Sequence, residues 1–247
     1  MRLAVLSDIH SNLEALEAAL TEVGRAGVDA IVSCGDLVGY NADPNAVLDR
    51  VRALGVVSVM GNHDAAACGL EEPDLFNHAA RDAVLWTRGV LSRQNGDFLR
   101  GLPVHLDLGE GVLLAHGSWL DRDAYLFEAA QAAEDFEALE RDHAEARLLL
   151  LGHTHFPVGF SRERGSSRIE TDFSDRIPLH PGRLALVNVG SVGQPRDGDP
   201  RLSLAIVDTG EGSVERRRVE YPVEGAARKV QEAGLPGYLA QRLLVGR

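Results

Sequence analysis

The chain has 247 residues, 45% of them hydrophobic, enough for one large domain with a substantial core. Its 37 acidic and 25 basic residues leave a net charge of −12, which repels nucleic-acid phosphates and argues against non-specific DNA or RNA binding. A phosphate substrate is not excluded, because bound cations reverse the sign locally.

The two cysteines, Cys34 and Cys68, are too few for a disulfide framework and point to a reducing compartment. The opening apolar run is too short for a signal peptide and ends at Asp8. No run reaches the length of a membrane span. The expectation is a soluble cytoplasmic protein with no membrane partner.

Leu3 to Leu6 reads as a first strand, ending in Ser7-Asp8-Ile9-His10. A helix is predicted from about Asn12, with Leu13, Leu16, Leu20 and Val23 on one face and Gly24 and Gly27 near its end. Ala30 to Cys34 is a second strand, followed by Gly35-Asp36. Asp43 and Pro44 open a helix that Gly55 stops, with Asp at the N-cap and Pro in the first turn. A third strand, Val56 to Met60, delivers Gly61-Asn62-His63-Asp64. This strand–helix alternation predicts a parallel sheet with right-handed crossovers.

Residues 72 to 100 read as two helical pieces with a weak point at Asn95-Gly96. Val104 to Leu108 and Val112 to Ala115 form a hairpin around Gly109-Glu110-Gly111, and the return strand ends in His116. A charged helix is expected over 128 to 145. The apolar strand Leu148 to Leu151 then ends in Gly152-His153-Thr154-His155. From 156 onward, strands at Val158 to Ser161, Arg168 to Thr171, Leu184 to Val189, Leu202 to Val207 and Val214 to Val219 predict a mainly antiparallel second sheet. One or two helices close the chain over 223 to 247. With no repeat or linker, residues 1–247 form one domain on this reading.

Five of the nine histidines, His10, His63, His116, His153 and His155, fall at or just past the carboxyl end of an apolar strand. Asp8, Asp36 and Asn62 share that placement. Open α/β sheets bind ligands outside the carboxyl ends of their strands, so adjacent strands would bring these residues to one rim. Oxygen and imidazole donors without sulfur suit Mn²⁺, Fe or Zn²⁺ better than Ca²⁺. There are too many donors for one ion, so two metals are expected, and a carboxylate such as Asp36 could bridge them. Each residue also has a plain structural explanation. Gly61 to Asp64 could be an ordinary turn, His116 a structural histidine, and Asp8 a polar lead into the first helix. Tyr40, Asn41, the stretch from Ser118 to Tyr125 and Arg196 sit in loops that could rim a pocket and select substrate, or could be surface loops only. An Arg there would suit a phosphate.

Asp8-Ile9-His10, Gly35-Asp36, Gly61-Asn62-His63-Asp64, His116 and Gly152-His153-Thr154-His155, in this order, resemble the calcineurin-like metallophosphoesterases from residue 1 to about 208. Residues 188 to 196, Asn-Val-Gly-Ser-Val-Gly-Gln-Pro-Arg, further resemble the bacterial phosphodiesterase-like and diadenosine-tetraphosphatase-like branch, which usually has Pro where this chain has Val189. The resemblance implies a four-layer α/β/β/α sandwich of two mixed sheets flanked by helices. It implies one metal on Asp8, His10 and His155, a second on Asn62, His116 and His153, and Asp36 bridging. His63 would stand above the pair, oriented by Asp64, as acid and transition-state stabiliser. A pair of cations about 3.5–4 Å apart acidifies the water held between them and clamps a phosphate for in-line attack. The expected substrate is a phosphodiester or phosphomonoester, a small molecule or a nucleotide, contacted by Asn62, Tyr40 and Arg196. Two other readings are a non-catalytic metal-binding scaffold on the same fold and an amide or lactam hydrolase. Every expected position is filled, against the first, and the His-x-His-x-Asp-His cluster of the second is missing.

Overall fold

A computed structural model describes all residues, 1–247. The elements run β1 (Arg2–Leu6), α1 (Leu13–Ala26), β2 (Ala30–Ser33), α2 (Pro44–Ala53), β3 (Val57–Ser58), α3 (Asn62–Ala67), α4 (His78–Val90), α5 (Arg93–Arg100), β4 (Leu106–Asp107), β5 (Val112–Leu114) and α6 (Ala133–Asp142). They continue with β6 (Leu148–Leu151), β7 (Val158–Glu163), β8 (Ile169–Asp172), β9 (Arg176–Pro178), β10 (Arg183–Asn188), β11 (Leu202–Asp208), β12 (Ser213–Val219), α7 (Val223–Glu232) and α8 (Gly237–Val245).

The strands form two mixed six-stranded sheets, ordered β3-β2-β1-β11-β12-β9 and β4-β5-β6-β10-β7-β8. Their alternation explains the layering. Leu3 and Val5 of β1, Ala205 and Val207 of β11, Leu148 and Leu150 of β6, and Ala185 and Val187 of β10 fill one apolar layer between the sheets. The intervening Ala4, Leu6, Leu204 and Ile206 face α1 and α2, while Leu149, Leu151, Leu184 and Leu186 face α6. A period of two along buried strands thus gives both faces a core, and helix, sheet, sheet and helix stack in four layers. No helix is long and apolar enough to cross a membrane. Cys34 and Cys68 are buried free thiols.

Four details differ from the sequence reading. The later strands do not make a sheet of their own: β7, β8 and β10 join β4 to β6, whereas β9, β11 and β12 extend the first sheet. β11 pairs antiparallel with β1, a long-range pairing that local pattern cannot show. The break in the 72–100 helical region falls at Ser92, whose side chain caps α5, and Asn95-Gly96 lies inside that helix. There Asn95 is anchored by Asn45 and Asp49, which offsets the weak propensity of the pair. Gly61 to Asp64 is no simple turn, because α3 begins at Asn62. Finally, Asp43 occupies the N-cap position of α2 without making the cap bond, its carboxylate accepting from Lys229 instead.

Candidate metal centre

Asp8, His10, Asp36, Asn62, His63, His116, His153 and His155 all meet at the carboxyl ends of β1, β2, β3, β5 and β6, and all are buried. The backbone there is forced. Eight non-glycine residues in the chain have positive φ, and seven of them, Asp8, His10, Ser11, Asp36, Tyr40, His153 and His155, crowd this rim. Such conformations cost about 1–3 kcal/mol each and persist where surrounding structure over-determines them. Two glycines are required by close approach. A Cβ on Gly61 would come within 2.5 Å of the Asp36 amide, and one on Gly39 within 2.5 Å of His63 Nδ1.

Three sets of donors lie close enough to share a cation: Asp8, His10 and His155; His10, Asp36 and His63; and Asp36, His116 and His153. His10 Nε2 lies 3.7 Å from Asp8 Oδ1 and 3.5 Å from Asp36 Oδ2. His155 Nε2 is 3.2 Å from Asp8 Oδ1, and His116 Nε2 is 3.4 Å from Asp36 Oδ2. Asn62 Oδ1 stands 3.3 Å from His116 Nε2. Asp36 therefore touches both groups, as a bridging carboxylate must.

Backbone carbonyls fix the tautomers. His10 Nδ1 donates to Val38 O at 2.9 Å, His116 Nδ1 to Cys34 O at 2.7 Å and His155 Nδ1 to Gln194 O at 2.6 Å. His153 instead donates from Nε2 to Asp123 O at 3.0 Å. In its neutral form each ring then turns its other nitrogen inward as a lone pair, the usual brace of a metal-binding histidine. The result is a contact that two neutral imidazoles would avoid: His10 Nε2 and His155 Nε2, both acceptors, face each other at 3.1 Å. A cation shared by the two lone pairs removes that repulsion, so the donor set fits a metal.

Burial is the largest influence on every titratable group here. It lowers His63 to about 4 and His153 to about 3, leaving neutral rings at pH 7. Burial also favours neutral carboxyls, yet His155 beside Asp8 and His116 beside Asp36 outweigh it and hold both acids well below the usual range. His116 goes the other way, pushed up to about 9 because Asp36 overcomes burial. A proton drawn to His116 sits where positive charge is wanted, the charge a cation would supply.

Asp64 corrects one expectation. It does not aim His63. Its Oδ1 accepts from the Val38 amide at 3.2 Å and its Oδ2 from the Gly61 amide at 3.1 Å, tying the two loops that carry Asp36 and Asn62. Burial, followed by the nearby charge of Asp36, raises its carboxyl to about 7. His63 is held by rings instead: Tyr40 at 4.4 Å, Phe76 at 4.7 Å and His10 at 4.8 Å between centroids, with Nδ1 unpartnered. Nor does Val189 disturb the rim. Its amide donates to Leu151 O at 3.0 Å, a bond proline could not make.

A cleft of about 380 Å³ opens onto this rim, lined by Tyr40, Asn62, His63, Phe76, Tyr125 and His153 among others. Tyr40 is buried against it, and the Arg196 guanidinium lies 5.4 Å above the Tyr40 ring. The 118–127 stretch does reach the site, through the Asp123 carbonyl and through Tyr125, stacked 4.0 Å from His153. Sequence reasoning missed Phe76, in an aperiodic polar run, and Ser7, whose hydroxyl donates to Asp8 Oδ2 at 2.5 Å. Ser7 could have been found from its place directly before Asp8 at the strand end.

Residues 1–212 match the family model of the calcineurin-like phosphoesterase superfamily domain. An uncharacterized protein of Methanocaldococcus jannaschii is 36% identical over 253 residues, covering 99% of this chain and 98% of its own. The crystal structure of a metallophosphoesterase from Sphaerobacter thermophilus is 37% identical and superposes with a TM-score of 0.85, covering 100% of this chain and 99% of its own. A hypothetical protein from Pyrococcus horikoshii, 19% identical, shares the fold with a TM-score of 0.81, covering 100% of this chain and 98% of its own. The chain belongs to the calcineurin-like phosphoesterase superfamily.

Proposed function

We propose that this rim hydrolyses a phosphodiester or phosphomonoester with the help of two divalent cations, Mn²⁺, Fe²⁺ or Zn²⁺. Asp8, His10 and His155 would hold one, Asn62, His116 and His153 the other, and Asp36 both. The observation that carries this reading is the pair of facing lone pairs on His10 and His155 at 3.1 Å, inside a buried cluster of Asp and His. When bound, the cations would supply an acidified water as nucleophile and neutralise phosphate charge.

The chain's own residues do the rest. His63 lines the cleft and no carboxylate is hydrogen-bonded to its ring, so a phosphate oxygen arriving there can accept from it. An anionic ester favours the protonated ring, which can stabilise charge on the phosphoryl oxygens and pass a proton to the leaving oxygen. Tyr40, Phe76 and Tyr125 give the cleft aromatic walls, suited to a flat leaving group such as a nucleoside or aryl alcohol. Asp64 serves by fixing the two ligand loops.

The test is metal analysis beside a phosphate-ester panel run with Mn²⁺, Fe²⁺, Zn²⁺ and Mg²⁺ in turn. About two ions per chain and metal-dependent turnover are expected. Two ions with no turnover on any ester would favour the scaffold reading.

A further inference from the structure

Two separate stretches of chain wall the cleft. Leu75, Phe76 and Asn77 come from the segment between α3 and α4, and Asp123 and Tyr125 from the loop that follows His116. Phe76 packs on His63 at 4.7 Å and Tyr125 on His153 at 4.0 Å between ring centroids, so each wall brings an aromatic ring onto the site. Neither stretch has a strand or helix of its own, so its position depends on side-chain bonds.

Arg122 supplies such bonds to both. Its side chain is 13% exposed and lies behind the wall, not among the residues that line the cleft. Nη2 donates to Glu71 Oε2 at 2.6 Å, a link across 51 positions of the chain. Nε donates to Asp123 Oδ1 at 2.7 Å and Nη2 to Asp123 Oδ2 at 3.1 Å. Each acid is also anchored through its backbone. The Glu71 carbonyl accepts from Arg88 Nη2 of α4 at 2.9 Å, and the Asp123 carbonyl accepts from His153 Nε2 at 3.0 Å. A continuous chain of bonds thus runs from α4 through Glu71, Arg122 and Asp123 to the His153 ring. The loop itself is folded tightly: a Cβ on Gly117 would come within 2.3 Å of the Arg122 carbonyl oxygen and 2.6 Å of that of Ala124.

Asp123 matters for a second reason. Of the ten residues lining the cleft it is the only acid. A bare carboxylate there would repel an arriving phosphate. Arg122 grips it through two parallel bonds, the geometry in which a guanidinium best compensates a carboxylate. Single exposed ion pairs contribute little, but a mostly buried arginine shared by two acids forms a network of fixed geometry.

We propose that Arg122 is a positioning residue of this site: it ties the two walls of the cleft together, and it compensates the one acid on them so that a phosphate ester can approach. The tie stands on geometry alone, whereas the compensating role rests on the reading of the rim as a phosphate-ester site.

The first measurement is amide hydrogen exchange of metal-free protein, read over residues 117–127 and 69–77. Glu71→Gln breaks the link between the walls and keeps the Arg122–Asp123 pair. It should speed exchange over 117–127 about threefold or more, although the substitution lies on the other wall. Unchanged exchange there would overturn the tie. The second measurement is calorimetric titration of metal-loaded protein with orthophosphate, beside kcat and KM for bis(p-nitrophenyl) phosphate at saturating metal. Arg122→Gln leaves the Asp123 charge bare, so the orthophosphate Kd and the KM should each rise about fivefold, with kcat within about twofold. Arg122→Gln combined with Asp123→Asn should return both constants to within about twofold of wild type, because the bare charge is gone while the loop stays untied. A double variant no better than Arg122→Gln would make the arginine merely structural and overturn its compensating role, as would failure of orthophosphate to bind. Orthophosphate binding with this rescue but no turnover of any ester would sink the hydrolase reading and leave Arg122 in its role. Turnover without the rescue would do the reverse.

Discussion

The two ligand groups grow from the same strand ends but are held in different ways. Asp8, His10 and His155 are at most 2% exposed. Their braces are internal: the Ser7 hydroxyl and the His153 amide on Asp8, the Val38 carbonyl on His10, and the Gln194 carbonyl on His155. Asn62 and His153, at 9% and 4%, line the cleft. The brace on His153 is the carbonyl of Asp123, a half-exposed residue of the 118–127 loop, and Tyr125 of that loop covers its ring. The first group is thus fixed by buried strand ends and loops, whereas the His153 arm of the second depends on a surface segment. A cation on the first should be retained more tightly and exchange more slowly, because releasing it means opening the core.

The largest effect should come from the residue common to both. Asp36→Ala removes the shared carboxylate, and metal content should drop below one ion per chain with turnover down roughly 10³-fold or more. Metal analysis after gel filtration and a rate assay check it. Retention of two ions would dissolve the distinction between bridging and terminal ligands. His63→Ala comes next. It should cut kcat by about 10²–10⁴-fold with metal content unchanged, since the ring is placed for proton transfer. A wild-type rate would remove His63 from the chemistry. His153→Ala then separates the two groups directly. About one ion per chain should remain, held by Asp8, His10, His155 and Asp36. Loss of both ions would show that the first group cannot stand alone.

How the sequence carried this site depends on which force placed each residue. Asp8, Asp36, Asn62, His116, His153 and His155 were legible because they follow short apolar runs, and a parallel arrangement of strands aligns such ends on one side. The four layers were legible only through the family resemblance. Period-two burial on β1 or β11 is invisible in runs that are apolar at every position, such as Leu148 to Leu151. The pairing of β11 with β1, about 200 residues away in the chain, left no local trace. The role of Asp64 was misread for a related reason. Adjacency to His63 suggested contact, but α3 turns the two side chains apart, and the acid goes to the amides of Val38 and Gly61. Phe76 reaches the cleft through tertiary packing, which no spacing rule anticipates.

The loop dependence of the second group can be sharpened by Tyr125→Ala. Losing the ring stacked 4.0 Å from His153 should weaken the second ion by about 10-fold to 100-fold and leave the first nearly unaffected. Stepwise chelation with a metal-sensitive dye would resolve the two. Equal weakening at both would mean the loop supports the whole rim.

The smallest expected effect probes the internal braces of the first group. Asn12 has two duties: its Oδ1 caps α1 by accepting from the Ala15 amide at 3.1 Å, and its Nδ2 donates to Gly193 O at 2.9 Å. Gly193 precedes Gln194, whose carbonyl holds His155. Asn12→Ala removes the cap, costing about 1 kcal/mol, and leaves the Gly193 carbonyl short of a donor, about 1 kcal/mol more. For a chain of this size the melting temperature should fall by roughly 4–8 °C. Because the freed loop carries the brace on His155 and makes no hydrogen bond to Asp123, whose carbonyl holds the His153 ring, affinity should decline a few-fold mainly at the first group. A variant that melts lower yet binds both ions as wild type does would show that the rigidity of the first group comes from β6 and β10 alone, not from the loop between β10 and β11.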